Sequence, residues 1–129
     1  MKIAEIKRAF GNKLIGNQKM KHFVCLVLTT MPPKIVTYIT ENCWFMGSFE
    51  DAYAFTFTGA DLRNHHLIFL SDELLNQNEA QINYTIAHEI GHVMLGHRNS
   101  VFDAQTKQEV KNQEKEAHIF ALKYTSNPL

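Results

Sequence analysis

The chain has little that would carry it into a membrane or staple it together. No apolar run reaches the roughly 18 residues that a bilayer-spanning helix needs. The opening Met1-Lys2-Ile3-Ala4-Glu5-Ile6-Lys7-Arg8 lacks the continuous apolar core of a secretion signal, and the apolar Phe23-to-Leu28 stretch is too short and too far along to act as one. A cytoplasmic protein with no membrane association is therefore expected. The two cysteines, Cys25 and Cys43, form no C-x-x-C pair. They are expected as reduced, packed thiols, and they turn any metal hypothesis toward imidazole and carboxylate donors. Three prolines and six glycines are too few for a linker, and no repeat is visible, so one domain is expected over residues 1–129. There is no excess of either charge: 13 Lys and Arg face 13 Asp and Glu. That balance argues against a general nucleic-acid binder. It conceals a split, with seven basic and one acidic residue in 1–34 against one basic and eight acidic in 35–97. The split is read as a basic arm packing beside an acidic middle.

What the chain does have is seven histidines, and their places depend on the elements around them. Ile3, Ile6, Phe10 and Leu14 recur at helical spacing, which predicts a helix over 2–14. Met20, Phe23, Val24, Val27 and Leu28 predict a second, and Pro32-Pro33 opens a short third through Ile35, Tyr38, Ile39 and Asn42. Short strands are then expected at Trp44 to Met46, Ala52 to Thr58 and His66 to Leu70, the second closed by Gly59-Ala60-Asp61. From Asn78, with Gln81 three residues on as in a capping box, a helix should run to about Gly96, and a last helix should cover 107–124. The expected fold is α+β and zincin-like. A helical part (1–43) precedes a part (44–129) with a three-strand antiparallel sheet, a motif-bearing helix and a C-terminal helix.

His88-Glu89-Ile90-Gly91-His92 is an HExxH motif on that long helix. Residues four apart stand one turn above each other, with Cβ atoms about 5–6 Å apart. Two imidazoles so placed can reach one zinc ion at about 2.0–2.1 Å. Glu89, turned by roughly 100° from His88, clears the metal yet can reach water bound beside it. Zinc lowers the pKa of such water toward about 7, and the carboxylate then serves as general base and later as proton donor. On the helix, Ile82, Ile86, Ile90 and Val93 form an apolar stripe, while His88 and His92 share another face with Gln81, Tyr84 and Thr85. Core histidines would not be arranged in this way.

HExxH supplies only two protein ligands. A histidine six residues beyond His92 would suit one zincin class, but Arg98 occupies that place. His97, projected along the helix, points toward the apolar stripe and reads as structural. The last helix offers Glu109, Glu114 and Glu116. Glu114 lies beside the small Ala117 and Ala121, where another helix can come close, and one turn before His118, which could steady it. Glu116 lies beside bulky Phe120, so geometry favours Glu114 over Glu116. Tyr84, Tyr124 and His118 could stabilise an oxyanion but read more simply as core or rim. Of the pair His65-His66, one is expected packed and one exposed, and His22 sits on an exposed face.

Ala87-His88-Glu89-Ile90-Gly91-His92-Val93-Met94-Leu95-Gly96-His97, followed by Glu114-Lys115-Glu116-Ala117-His118-Ile119-Phe120-Ala121, resembles the ImmA/IrrE-like family of gluzincin metallopeptidases. That family pairs an HExGHxxLGH-like stretch with a Glu-x-Glu-Ala-Asn-x-Phe-Ala-like helix, and the resemblance covers about residues 65–124. It implies a Zn2+ site of His88, His92 and Glu114, an intracellular setting, and hydrolysis of regulatory proteins. His118 stands where the family has Asn. A fourth protein ligand there would close the site to water.

The function expected from the sequence is thus a zinc metallopeptidase acting on a protein or peptide substrate, with Glu89 catalytic and His88, His92 and Glu114 on the metal. A non-catalytic, zinc-stabilised protein-binding module in a phage or toxin–antitoxin type of complex is the alternative. Metal-assisted hydrolysis of a non-peptide amide is a third reading. By analogy with zincins, Leu67 to Leu70 would receive substrate as an added strand.

Overall fold

The computed structural model describes residues 1–48, 54–58, 65–97 and 105–128. Helix α1 spans Ile3–Phe10 and buries Ile6 and Phe10. It is shorter than the apolar spacing predicts, because Gly11 takes a positive φ of 62° and ends it. Leu14 therefore belongs not to the helix but to a two-residue strand, β1 (Leu14–Ile15). Helix α2 (Gln18–Leu28) starts at Asn17, whose side chain accepts from the Met20 N–H, and α3 (Pro33–Asn42) carries proline in its first turn.

Strands β2 (Cys43–Ser48), β3 (Ala54–Thr58) and β4 (His66–Ser71) follow, then a single helical turn, α4 (Asp72–Leu75), capped by Ser71. Two long helices complete the described chain: α5 (Glu79–Met94) and α6 (Lys107–Tyr124). Asn78 caps α5 as expected, accepting from the Gln81 N–H at 2.9 Å, while the Gln81 side chain turns to Thr85 at 2.8 Å. Ala52, Tyr53 and the turn expected at Gly59-Ala60-Asp61 lie outside the described residues.

The α+β class holds, but the antiparallel sheet does not. Four strands lie in the order β1-β2-β4-β3. β1 pairs parallel with β2, and β2 parallel with β4; β3 alone runs antiparallel, along β4. Two placements account for this. A strand before α2 and α3 makes those helices the crossover that the parallel β1–β2 pairing requires, and β3 lies beyond β4 rather than between β2 and β4, which leaves those two strands parallel. Burial alternates along both strands, with Cys43 and Phe45 of β2 and His66, Ile68 and Leu70 of β4 buried and Trp44, Met46, Leu67 and Phe69 between them only half-buried. β4 is also central, paired on both sides, so Leu67 to Leu70 cannot receive an added strand.

The core lies between the sheet and the helices. α1 packs on α2 and α3, α2 on α5, and α5 on β3, β4 and α6. Phe10 meets Phe45 edge-on at 5.7 Å, and Phe45, Ile68 and Thr56 are cross-strand neighbours that are all buried. The Ile82, Ile86, Ile90 and Val93 stripe of α5 is buried as expected, and Gly91, on the other side of the helix, faces Phe120 of α6.

Candidate metal centre

The HExxH residues fall in the second half of α5, where helical spacing stacks the two imidazoles. The His88 and His92 rings lie 4.8 Å apart, nearly perpendicular, and their side chains are 16% and 14% exposed. Ligating atoms of His88, Glu89 and His92 all lie within 4.8 Å of one another, so these three could hold a metal ion.

The helix packed across them brings a second carboxylate. Glu114 of α6 places Oε2 3.1 Å from His88 Nε2 and Oε1 3.1 Å from His92 Nε2. The two acids are not equivalent. Glu114 is more than half exposed and touches both Nε2 atoms. Glu89 is buried, accepts a hydrogen bond at Oε2 from the Thr56 hydroxyl of β3, and has Oε1 3.7 Å from Nδ1 of His88. Glu114 thus faces the nitrogens of both rings that point away from α5, and Glu89 stands behind them.

This donor set fits zinc. Two imidazoles and a carboxylate are its usual catalytic ligands, and two donors at about 2.0–2.1 Å in a tetrahedron stand about 3.3 Å apart. The two 3.1 Å separations at Glu114 are close to that edge length. The surroundings also tune the rings. Burial pushes His88 down, but Glu89 and then Glu114 outweigh it, and its pKa rises. For His92 burial prevails and the pKa falls, which favours the neutral ring that a metal needs.

Residues 79–127 match the family model described as Peptidase U49. The Peptidase U49 match takes in α5 and α6, the two helices that carry His88, Glu89, His92 and Glu114, and less than half of the chain. It points to peptidase chemistry at this place. No curated protein and no solved structure matches the chain.

Two neighbours take other positions than the sequence predicts. His97 does not point into the apolar stripe. Helix α5 ends at Met94, and Gly96, at φ 70°, turns the chain back. The Gly96 N–H reaches the Val93 carbonyl at 3.2 Å and the His97 N–H reaches the His92 carbonyl at 3.0 Å, the paired bonds of a Schellman turn. This sets Nδ1 of His97 2.9 Å from Nδ1 of His92, and Nε2 of His97 3.2 Å from Glu116 Oε1. The signal for this was Leu95-Gly96, a helix stop that removes His97 from the helical projection.

His118 does not steady Glu114 but lies with Nδ1 2.6 Å from the Tyr84 hydroxyl. Burial, then the Glu114 charge, push the Tyr84 hydroxyl up, so it stays a neutral O–H group. Thr56 was also missed, because a threonine in an aromatic-rich strand carries no mark of what it faces. Elsewhere the histidines behave as expected: His66 is buried, and His65 and His22 are exposed. Among the described residues no helix is long and apolar enough to cross a membrane.

Proposed function

We propose that the chain is a zinc-dependent peptidase of gluzincin type, a single zincin-like domain in which His88, His92 and Glu114 hold the ion and Glu89 is the general base. The observation that carries this reading is the Glu114 carboxylate spanning Nε2 of both histidines at 3.1 Å, in the region of the peptidase family match. A zinc ion there would supply Lewis acidity toward a peptide carbonyl and toward water.

The chain's own residues do the rest. Glu89 takes a proton from the attacking water on Oε1, the oxygen that Thr56 leaves open, and passes it to the departing amine. Thr56 holds the carboxylate by its other oxygen, which fixes the side chain without occupying the basic atom. His118, turned to Tyr84, stays out of the donor set, which supports a site open to water. The likeness to ImmA/IrrE-like peptidases extends the proposal to cytoplasmic cleavage of a regulatory protein.

The test is Glu89→Gln. Zinc content by elemental analysis should stay at one ion per chain while cleavage disappears. Cellular proteins that vanish on expression of the wild type, but persist with Glu89→Gln, are the substrates. If the zinc-loaded wild type degrades nothing across the proteome while binding a partner tightly, the peptidase reading falls and the chain is a zinc-stabilised binding module.

A further inference from the structure

The contacts running outward from His92 end on a group whose hydrogen-bonding sense is fixed. Glu116, as a carboxylate, can only accept. The nitrogen facing it, Nε2 of His97 at 3.2 Å, must therefore be the donor. A neutral imidazole carries one proton, so Nδ1 of His97 is then an acceptor. It lies 2.9 Å from Nδ1 of His92, which must supply the proton between them. With a metal ion held between Nε2 of His92 and Glu114, 3.1 Å apart, Nε2 carries no proton, and the single proton of His92 sits on Nδ1, the sense these contacts require.

We propose that Glu116 and His97 form a two-residue relay that holds the proton of His92 on Nδ1 when its Nε2 is on the metal, and so strengthens that ligand. The proposal rests on the metal-site reading above and makes both groups positioning residues. The fold is arranged for it. The Schellman turn at Gly96 folds His97 back onto the ring it orients, and His97 is only 8% exposed. α6 supplies a metal-facing carboxylate at 114 and a relay carboxylate at 116. Nδ1 of His88 stands 3.7 Å from Glu89 Oε1, beyond hydrogen-bond distance, so the relay serves one of the two ligands. Supporting groups of this kind change metal affinity by about 10–100-fold when removed.

The experiment measures zinc affinity by chelator competition at pH 8, with zinc alone as the probe, beside apoprotein melting curves. His97→Leu suits a buried site but cannot accept; it should weaken zinc binding by about 10–100-fold. His97→Asn can put its amide oxygen where Nδ1 was, and should stay within about threefold of wild type while restoring the acceptor. Glu116→Met should weaken binding in the same direction as His97→Leu, and Glu116→Gln, whose amide oxygen still accepts, less. Long-range proton–nitrogen NMR on the zinc-loaded protein should show His97 carrying its proton on Nε2.

A purely structural His97 gives the opposite order, with Leu tolerated and Asn harmful. That order, or a His97 proton on Nδ1, overturns the relay while leaving the metal site standing. If wild type binds zinc no better than Glu114→Ala, the metal-site reading fails, and the relay with it.

Discussion

Phe120 of α6 lies against the backbone of Gly91 on α5, so close that a Cβ at Gly91 would stand 3.0 Å from the ring. The glycine inside the HExxH motif thus admits the helix that carries Glu114. Gly91→Ala gains about 1 kcal/mol of helix propensity, but overpacking costs about 1–3 kcal/mol. Thermal unfolding should show a net loss of up to about 2 kcal/mol, and zinc titration should show weaker binding as α6 is pushed off. Adding Phe120→Leu should recover part of both. Unchanged melting and affinity in the single variant would mean that the ring simply moves aside.

Glu114 and Glu116 sit two residues apart and face different histidines. Glu114→Ala should lose zinc by elemental analysis after dialysis. Glu116→Ala should still reach one ion per chain when zinc is saturating. The reverse pattern assigns the third ligand to Glu116.

These assignments show which parts of the site the sequence discloses. His88, Glu89 and His92 are legible because a single helix sets their relation, and the buried Ile82-Ile86-Ile90 stripe follows from the same period. The approach of Glu114 to the two histidines is legible through the small Ala117 and Ala121, both fully buried. His97 is not, because projecting it along the helix ignores the reversal at Gly96. Thr56 depends on strand register, which a local pattern does not contain. The parallel sheet is hidden for related reasons. Leu14 fits the spacing of α1, so β1 vanishes into a helix, and nothing local places β3 beyond β4 rather than between β2 and β4.

His66 predicts a pH effect away from the site. It is 5% exposed, with Nε2 2.9 Å from the Tyr38 hydroxyl. Burial, and secondarily the charge of His65, lower its pKa in the fold. A depressed base binds its proton more readily unfolded, so its share of stability is present above about pH 6.5, the ordinary histidine value, and is lost below it. Urea melts from pH 8 to 5 should show stability falling less steeply in His66→Asn than in wild type. Parallel slopes would remove His66 as a contributor.

Cys25 and Cys43 are both 0% exposed, and burial raises both thiols above their usual range. Raised acids favour the fold below the ordinary thiol pKa of about 8.5, and that stability is lost as pH rises beyond it. Iodoacetamide at pH 8.5 should leave both unlabelled in the native protein and label both in urea, as read by mass spectrometry. Native labelling of Cys43 would contradict its burial.

The division of donors between α5 and α6 also bears on how the chain holds together. Within α6 only Ala117 and Ala121 are fully buried, and Phe120 and Tyr124 pack at the edge of the core, so the helix docks along one narrow face. An ion held as proposed by His88, His92 and Glu114 would be a clasp as well as a reagent. Free zinc at a hundred times its Kd adds about 2.7 kcal/mol to the folded state, and much of that is felt where α6 docks. On the proposed site, zinc supply would then bear on how firmly α6 stays docked as well as on activity.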